Sequence, residues 1–409
     1  MCIRDREKLV IIGGGQAAIQ CITSLRKDDY KGSITLIGEE NHLPYQRPPL
    51  SKGFLSGVTE NKRLYFKNLE FFQENSVQLN LGVKANEIDR INNLIHLSNN
   101  ESISYDKLVI ATGSRVRQLE FSGSKLNGIH YLRGIDDAKS LKEGLTKSKN
   151  IVIVGAGYIG LEVAAVATEF DIKITVLEMA DRVMSRTVDP IISEYYQALH
   201  SKYGIEFVLN ESLEKVEGKE YVESVICSSG SSIPAELVVI GAGVLPNIEL
   251  AEKSGLHCDN GIYVDVYGQT EDKKIYACGD CTNHPNERLN RRLRLESVHN
   301  AMEQSKTVSS SIMGNKIAYN QIPWFWSDQY DHKLQIVGIS GEHDEVIMRG
   351  SQEESKFMLF YLKEQKLIAV DAVNNPKEFL ICRKLVENQV KITSDDILNQ
   401  SKDLNDLII

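Results

Sequence analysis

Lys8-Leu9-Val10-Ile11-Ile12-Gly13-Gly14-Gly15-Gln16-Ala17-Ala18 opens the readable part of the chain. Asn150-Ile151-Val152-Ile153-Val154-Gly155-Ala156-Gly157-Tyr158-Ile159-Gly160 repeats its grammar further on. Each is a short aliphatic run, the length of a buried strand, that breaks into closely spaced glycines and then into a helical pattern. In the first copy the helix runs from Gln16 to about Lys27, and a second strand, Ser33 to Ile37, ends at Glu39-Glu40. In the second copy the glycine turn leads to a helix from Leu161 to about Phe170 and a strand from Lys173 to Leu177 that ends at Glu178. Both have the length of a βαβ unit. This is a duplication of fold, not a short-period repeat.

The chemistry of such a turn follows from its glycines. Gly13-x-Gly15-x-x-Ala18 lets backbone approach a pyrophosphate whose charge sits at a helix N-terminus. Glu39, 24 residues beyond Gly15, is placed to accept hydrogen bonds from ribose hydroxyls. Gly155-x-Gly157-x-x-Gly160 with Glu178 follows the same logic, with Tyr158 and Ile159 inside the motif. Two such sites in one chain suit the movement of a hydride between a tightly bound flavin and a diffusing nicotinamide. An acid at Glu178 would repel a 2'-phosphate and favour NADH over NADPH, although Arg182 and Arg186 lie close in sequence and pull the other way.

Composition sets the outer limits. The 409 residues, at roughly 150 per domain, make two to three domains, and 42% hydrophobic with 25% charged residues is ordinary globular usage. The formal charge of -9 lacks the positive field on which non-specific nucleic-acid binding draws. No run approaches 18 apolar residues, and charges near the N-terminus stand where a secretory core would be, so the expectation is a cytoplasmic protein without membrane contact. Met1-Cys2-Ile3-Arg4-Asp5-Arg6 fits neither strand nor cap and is set aside as a prefix. The 7 cysteines are odd in number and scattered, which reads as reduced thiols rather than a disulfide framework.

Between the two units, Val77 to Leu97 alternates in a strand-like way and Lys107 to Ala111 runs into Thr112-Gly113-Ser114. After the second, Glu206 to Ile240 alternates and ends at Gly241-Ala242-Gly243. Lys274 to Cys278 then meets Gly279-Asp280, and Glu296 to about Ile312 reads as helix. From Ile322 the character changes. Trp324-Phe325-Trp326 precedes strand-like runs at Leu334 to Ile339, Phe357 to Leu362 and Leu367 to Val370, and a helix near Lys377 to Glu387, a third and smaller α+β unit.

With these blocks in view the sequence resembles the FAD-dependent pyridine nucleotide oxidoreductases, and within them the ferredoxin reductases that serve bacterial oxygenases. The marks are Arg47-Pro48-Pro49-Leu50-Ser51-Lys52, Ala111-Thr112-Gly113, Tyr131-Leu132-Arg133, Gly279-Asp280, Glu296-Ser297-Val298 and Trp324-Phe325-Trp326-Ser327-Asp328-Gln329. They span nearly the whole chain after the prefix. The resemblance implies an α/β fold of the glutathione-reductase type: two Rossmann-like dinucleotide-binding domains, for FAD and NAD, and a smaller C-terminal α+β domain. It divides the chain into FAD-binding segments at 1-115 and 243-320, an NAD-binding domain at 116-242 and a C-terminal domain at 321-409.

The resemblance also implies site residues. For FAD they are Gly13, Gly15, Ala17, Ala18, Glu39, Arg47, Lys52, Ala85, Ala111, Thr112, Gly113, Arg133, Gly279, Asp280 on the ribityl chain, Ser297, Val298, and one ring of Trp324 and Trp326. For NAD they are Gly155, Gly157, Tyr158, Ile159, Gly160, Glu162, Glu178, Gly241 and Gly243. Lys52 and Glu162 look like the pair beside the flavin N5 edge, where a lysine would stabilise an anionic reduced ring and the carboxylate would hold it charged and placed.

Thiol-reducing members of the superfamily carry a cysteine pair where this chain has Pro48-Pro49-Leu50-Ser51, so thiol reduction is not expected. Cys278-Gly279-Asp280-Cys281 is a CxxC, but it coincides with the flavin-contacting Gly-Asp block. No cysteine or histidine spacing suggests a metal or cluster site, so the iron belongs to a partner. Arg288, Arg291, Arg292 and Arg294 crowd one loop, with Lys67 outlying. They form a candidate basic docking site for an acidic 2Fe-2S ferredoxin, or a rubredoxin. The reading is an NADH:ferredoxin oxidoreductase, monomer or homodimer. Its rivals are an NADH oxidoreductase with a small-molecule acceptor and an apoptosis-inducing-factor-like NADH-sensing flavoprotein.

Overall fold

The computed structural model describes residues 7–408, and the prefix 1–6 lies outside them. Two compact units are present. The first comprises the chain up to Gln46, Asn61–Arg115 and Val244–Gln321; the second comprises Arg47–Glu60, Val116–Gly243 and the chain from Ile322 on.

The first unit is built on a five-stranded sheet in the order Ile275–Ala277, Lys107–Ile110, Lys8–Ile12, Ser33–Gly38, Val77–Leu81. All four pairings are parallel. A parallel sheet is covered on both faces, which is why residues 9–12 are an unbroken, buried apolar run behind the exposed Lys8. Helix Gln16–Lys27 buries Ala18, Ile22 and Leu25 on one stripe and Ala17 and Cys21 beside it, the i, i+4 spacing of an amphipathic helix. It packs on helix Val298–Ile312, whose Ser305, Ser309 and Ala301 are small enough for close approach; the Ser309 hydroxyl lies 3.2 Å from the Cys21 carbonyl. Gly13, at φ 122°, turns the chain where any Cβ would strike the Ala111 carbonyl.

In the second unit the order is Glu206–Leu209, Lys173–Glu178, Asn150–Val154, Leu237–Ile240, Ile129–His130, again parallel throughout. Helix Tyr158–Ala167 starts three residues before the expected Leu161, because Gly157 is already its extended N-cap. At Gly160 a Cβ would collide with the Gly155 carbonyl, so this glycine sets how closely helix and strand approach. The alternating stretch beginning at Glu206 resolves into one parallel strand and a separate antiparallel sheet of Leu213–Gly218, Val222–Cys227 and Ser232–Pro234. Val77 to Leu97 divides likewise. Only Val77–Leu81 joins the parallel sheet; Leu94–Leu97 is the middle strand of a separate antiparallel sheet, between Ala85–Asp89 and Ser102–Ser104.

The C-terminal portion is an antiparallel sheet in the order Trp324–Gln329, His332–Gly338, Lys366–Val373, Lys356–Lys363, Glu345–Ser351. Helix Pro376–Glu387 covers one face with Phe379, Cys382, Leu385 and Val386. The other face meets the aromatic side chains of helix Pro190–Lys202, with the Tyr195 ring 5.0 Å from Phe357. Burial on both faces explains why Lys356–Lys363 carries a continuous apolar run rather than alternation. The fold is thus α/β, with two Rossmann-like domains and a smaller α+β domain.

The segment Arg47–Glu60 was expected within the first block, 1-115, and instead packs with the second unit. Its 3-10 turn Pro48–Ser51 places Ser51 and Lys52 on the Glu162 carboxylate.

Candidate functional site

In the first unit the Gly13–Gly15 turn lies at the C-terminal edge of the parallel sheet, the position at which open α/β sheets bind ligands. The helix that follows receives Gly279 at close range: a Cβ there would stand 3.2 Å from the Ala17 methyl. Gly13, Ala17, Ala111 and Gly279 therefore share one small-residue surface.

Thr112 is fixed by Asn247, its hydroxyl donating to the Asn247 carbonyl at 2.7 Å and its own carbonyl accepting from the Asn247 amide at 2.9 Å. The Ser114 hydroxyl donates to Asp280 at 2.8 Å, and the Gly279 N–H donates to Gln304 at 2.8 Å. Ser297 caps the helix that begins at Val298, which leaves Glu296 outside it. Ala85 is buried in its strand, and Glu39 is exposed, 3.1 Å from Lys84. Its carboxylate faces solvent beyond the end of its strand.

The second unit assembles a buried polar knot around Glu162. Helix Tyr158–Ala167 is apolar on nearly every side, and Glu162, only 2% exposed, projects from it. Oε2 accepts from Lys52 Nζ at 2.7 Å and from the Ser51 hydroxyl at 2.5 Å. Oε1 accepts from the Ser327 hydroxyl at 2.7 Å. A carboxylate in an apolar helix bundle is costly unless paired and hydrogen-bonded, and here both oxygens are. Lys52 also reaches the Pro48 carbonyl at 3.3 Å, and Arg47 donates to the Arg133 carbonyl at 2.8 Å.

Glu178 closes its strand with both oxygens in use, Oε2 accepting from the Ala156 N–H at 2.6 Å and Oε1 from the Ala180 N–H at 2.9 Å. It thereby braces the glycine turn. Arg182 points away from that turn, donating to Val188 O at 2.9 Å, Ser193 Oγ at 2.7 Å and Ser185 O at 2.9 Å. Ile159, 47% exposed, stands in the helix's first turn, while burial pushes the Tyr158 phenol up and its ring lies 4.6 Å from Phe325. Gly241 and Gly243 follow strand Leu237–Ile240, with Gly243 at φ 86°.

Strand Trp324–Gln329 puts alternate residues on opposite sides. Phe325, Ser327 and Gln329 turn toward Tyr158, Glu162 and His200. Trp324 packs on Phe379, 6.3 Å between rings, and under Arg383 at 5.0 Å. It is partly buried and packs against the core of the C-terminal sheet, which leaves Trp326 as the ring not committed to that helix.

The basic segment is more ordered than a loop. It forms a 3-10 turn, Glu287–Leu289, and a strand, Arg291–Leu293. Arg292 turns inward, its guanidinium 3.3 Å from the centre of the Tyr263 ring and bonded to Asn283 Oδ1 at 3.1 Å and Val264 O at 2.6 Å. Arg294 pairs with Glu296 and bonds Asn260 at 3.1 Å. Arg291 is exposed, Arg288 is half-buried, and Lys67 lies 4.9 Å over the Phe71 ring.

Cys278 and Cys281 are fully buried, and burial pushes both thiols up, the opposite of an activated redox pair. Among the described residues no cluster of ligand side chains suits a metal ion.

Sequence reasoning missed the roles of Ser51, Ser327, Gln329 and His200. Three of these lie inside motifs already quoted, but nothing local to His200 sets it apart, because its partner Gln329 is 129 residues away.

Two glycine turns on parallel sheets, with a C-terminal sheet domain, define a two-dinucleotide oxidoreductase, and comparison agrees. Residues 7–305 match the model of the pyridine nucleotide-disulphide oxidoreductase family and residues 324–408 that of the reductase C-terminal domain; the chain belongs to this family. More particularly, it is similar to rhodocoxin reductase of Rhodococcus erythropolis, with 37% identity over 97% of this chain and 93% of that protein. Among solved structures it is similar to a ferredoxin reductase for the CYP199A2 system of Rhodopseudomonas palustris, with a TM-score of 0.96 and 38% identity over 99% of this chain and 100% of that one. It is also similar to the covalent putidaredoxin reductase-putidaredoxin complex, at a TM-score of 0.95 and 35% identity over 98% of both chains.

Proposed function

We propose that this chain is a cytoplasmic NADH-dependent FAD flavoprotein that passes electrons to a 2Fe-2S ferredoxin, or a rubredoxin, serving an oxygenase. The observation that carries this reading is the Ser51-Lys52 clamp on Glu162. Where a thiol-reducing relative would bring cysteines, this chain brings a lysine held by a buried carboxylate. Relatives matched over nearly their full length and named as rhodocoxin, ferredoxin and putidaredoxin reductases support the acceptor class.

The FAD-binding domain is drawn from 1-115 and 243-320, with Arg47–Glu60 of the first segment packed in the second unit, the NAD-binding domain is 116-242 and the reductase domain 321-409. The small-residue surface of Gly13, Ala17, Ala111 and Gly279 fits a pyrophosphate pressed against backbone, and Asp280, oriented by Ser114, fits a polyol chain. FAD supplies the chemistry of taking two electrons as a hydride and releasing them singly. Glu39 accepts from the FAD ribose, Ser297 and Val298 present a helix N-terminus, Ala85, Thr112, Gly113, Arg47 and Arg133 line the cofactor, and Trp326 offers its ring to the flavin. Lys52 places positive charge at the flavin N5 edge, favouring the anionic reduced form, and Glu162 holds it there.

Gly155, Gly157 and Gly160 receive the NADH pyrophosphate, with Tyr158, Ile159, Gly241 and Gly243 around the nicotinamide half. Glu178 keeps lone pairs for the adenosine ribose beyond the two amides it already accepts. Glu178 repels a 2'-phosphate and Arg182 is engaged elsewhere, so NADH is preferred over NADPH against the pull of Arg186, which lies near Gly243. Arg291, with Arg288 and Lys67, faces the partner; Arg292 and Arg294 shape that surface from within.

NADH-driven cytochrome c reduction, with and without a bacterial 2Fe-2S ferredoxin and with NADPH alongside, tests the assignment. Strong stimulation by ferredoxin with NADH is the expected result. Rapid flavin reduction that no ferredoxin or rubredoxin stimulates would overturn the acceptor class.

A further inference from the structure

Glu162 Oε1 begins a hydrogen-bond chain whose direction its chemistry fixes. A carboxylate only accepts, so the Ser327 hydroxyl at 2.7 Å must donate to it. The Ser327 oxygen is then the acceptor for the Gln329 side chain at 3.2 Å, which therefore presents its NH2 there. That orientation turns the Gln329 carbonyl oxygen toward His200, 2.7 Å from Nε2, so Nε2 carries the proton. Nδ1 is left as an acceptor, and the Tyr330 hydroxyl lies 3.1 Å from it. The order Tyr330, His200, Gln329, Ser327, Glu162 is a run of donors all pointing the same way.

Two further observations show that this arrangement is held in place. His200 is fully buried, and burial takes its pKa down to about 4 against the raising effect of its bond to Gln329, so the ring is neutral with one defined tautomer. Tyr330 sits at φ 56° in the two-residue turn between strands Trp324–Gln329 and His332–Gly338, a conformation a bulky side chain rarely adopts. Its ring is stacked on Tyr203, 3.9 Å between centroids and 9° between planes, which holds the hydroxyl where it meets both His200 and Thr168. Such strain persists only where surrounding contacts over-determine it.

We infer that Ser327, Gln329, His200 and Tyr330 are positioning residues that hold Glu162, and through it Lys52, in the orientation and polarity that flavin reduction uses. The inference rests on the proposed place of Lys52 beside the flavin. No proton travels the chain, because the Gln329 amide does not relay one. What it delivers is a row of aligned dipoles with their positive ends on Oε1, while Lys52 and Ser51 occupy Oε2. Gln329→Glu is the informative change. It is nearly isosteric, but a carboxylate at 329 accepts from both sides, draws the Ser327 proton away from Glu162 and adds a like charge.

The test uses the FAD-loaded enzyme, with two readouts: stopped-flow flavin reduction by NADH and the flavin midpoint potential. Gln329→Glu and His200→Phe are expected to slow reduction at saturating NADH about tenfold with little change in the NADH dissociation constant. They should also lower the potential by roughly 30 mV, the same factor read on a two-electron couple. His200→Gln, which keeps a donor toward Gln329, is expected to restore the rate to within about twofold of the parent and the potential to within about 9 mV, the same factor, even if it melts as low as His200→Phe. Lys52→Met is run alongside. If Lys52→Met shifts the potential and neither Gln329→Glu nor His200→Phe does, the chain has no positioning role. If Lys52→Met leaves the potential unchanged, the placement of Lys52 beside the flavin is wrong and the inference falls with it.

Discussion

Glu162 holds Lys52 at 2.7 Å and is the more trapped of the two, its side chain 2% exposed against 21% for the lysine. The pair is therefore asymmetric toward mutation. In Lys52→Met the carboxylate stays buried with hydroxyl donors alone, whereas in Glu162→Gln the lysine reaches water by rotating outward. An uncompensated buried charge costs several kcal/mol. Lys52→Met should accordingly lower the melting temperature of the apoprotein more than Glu162→Gln does, and differential scanning calorimetry checks the order. Both should slow flavin reduction by NADH by about 10- to 100-fold, since both misplace the same positive charge.

The proposed NAD site makes Glu178 the residue that selects between NADH and NADPH. Its carboxylate braces Ala156 and Ala180, and Arg182 is spent on Val188, Ser185 and Ser193, which leaves the exposed Arg186 near Gly243 as the opposing charge. The ratio of kcat/KM for NADH over NADPH should exceed about 100 in the parent, and Glu178→Gln should narrow it roughly tenfold by removing repulsion of the 2'-phosphate. Steady-state kinetics with both donors measures this. An unchanged ratio would remove Glu178 from the specificity determinants.

Much of this was legible in sequence because it is local. The glycine turns are legible since a strand, a turn and a helix N-terminus are contiguous, and only glycine fits at Gly13 and Gly160. The C-terminal strands were legible as apolar runs, but their burial on both faces was not, because the second face is completed by Tyr195 from a helix that periodicity did not single out. Arg292 misled for the converse reason. A run of arginines reads as solvated, and nothing adjacent reveals that Tyr263 and Asn283 draw one of them inward. His200 was invisible for lack of any local partner.

Asp371 gives the second unit a pH dependence of its own. It is buried, with the Tyr361 hydroxyl donating to it at 2.7 Å. Burial pushes it up to about 7, with Asp189 adding repulsion and the Tyr361 bond opposing. The folded state therefore keeps a proton that the unfolded chain releases near pH 4. Stability from this group is full at acid pH, is lost as pH rises from about 4 to about 7, and stays lost above that. Asp371→Asn keeps an acceptor for Tyr361 and carries no charge. Its melting temperature should match the parent near pH 4 and exceed it by ~5 °C at pH 8. A difference that does not vary with pH would place the titration elsewhere.

Arg291 and Arg292 are neighbours with opposite fates, and charge reversal separates them. Arg291 is exposed on its short strand, so Arg291→Glu should leave the melting temperature within about a degree and raise the KM for ferredoxin several-fold at low salt. The parent's advantage should fade as ionic strength rises, because exposed charges more than about 10 Å apart are screened at 0.1 M salt. Arg292→Glu should act on the fold instead. It removes the stack on Tyr263 and the bonds to Val264 and Asn283, and it sets a carboxylate against those carbonyls. A melting-temperature loss that salt does not repair is the expected signature, together with a ferredoxin KM whose salt dependence keeps the parent's slope. If the two variants behave alike in both assays, the partner surface does not include Arg291.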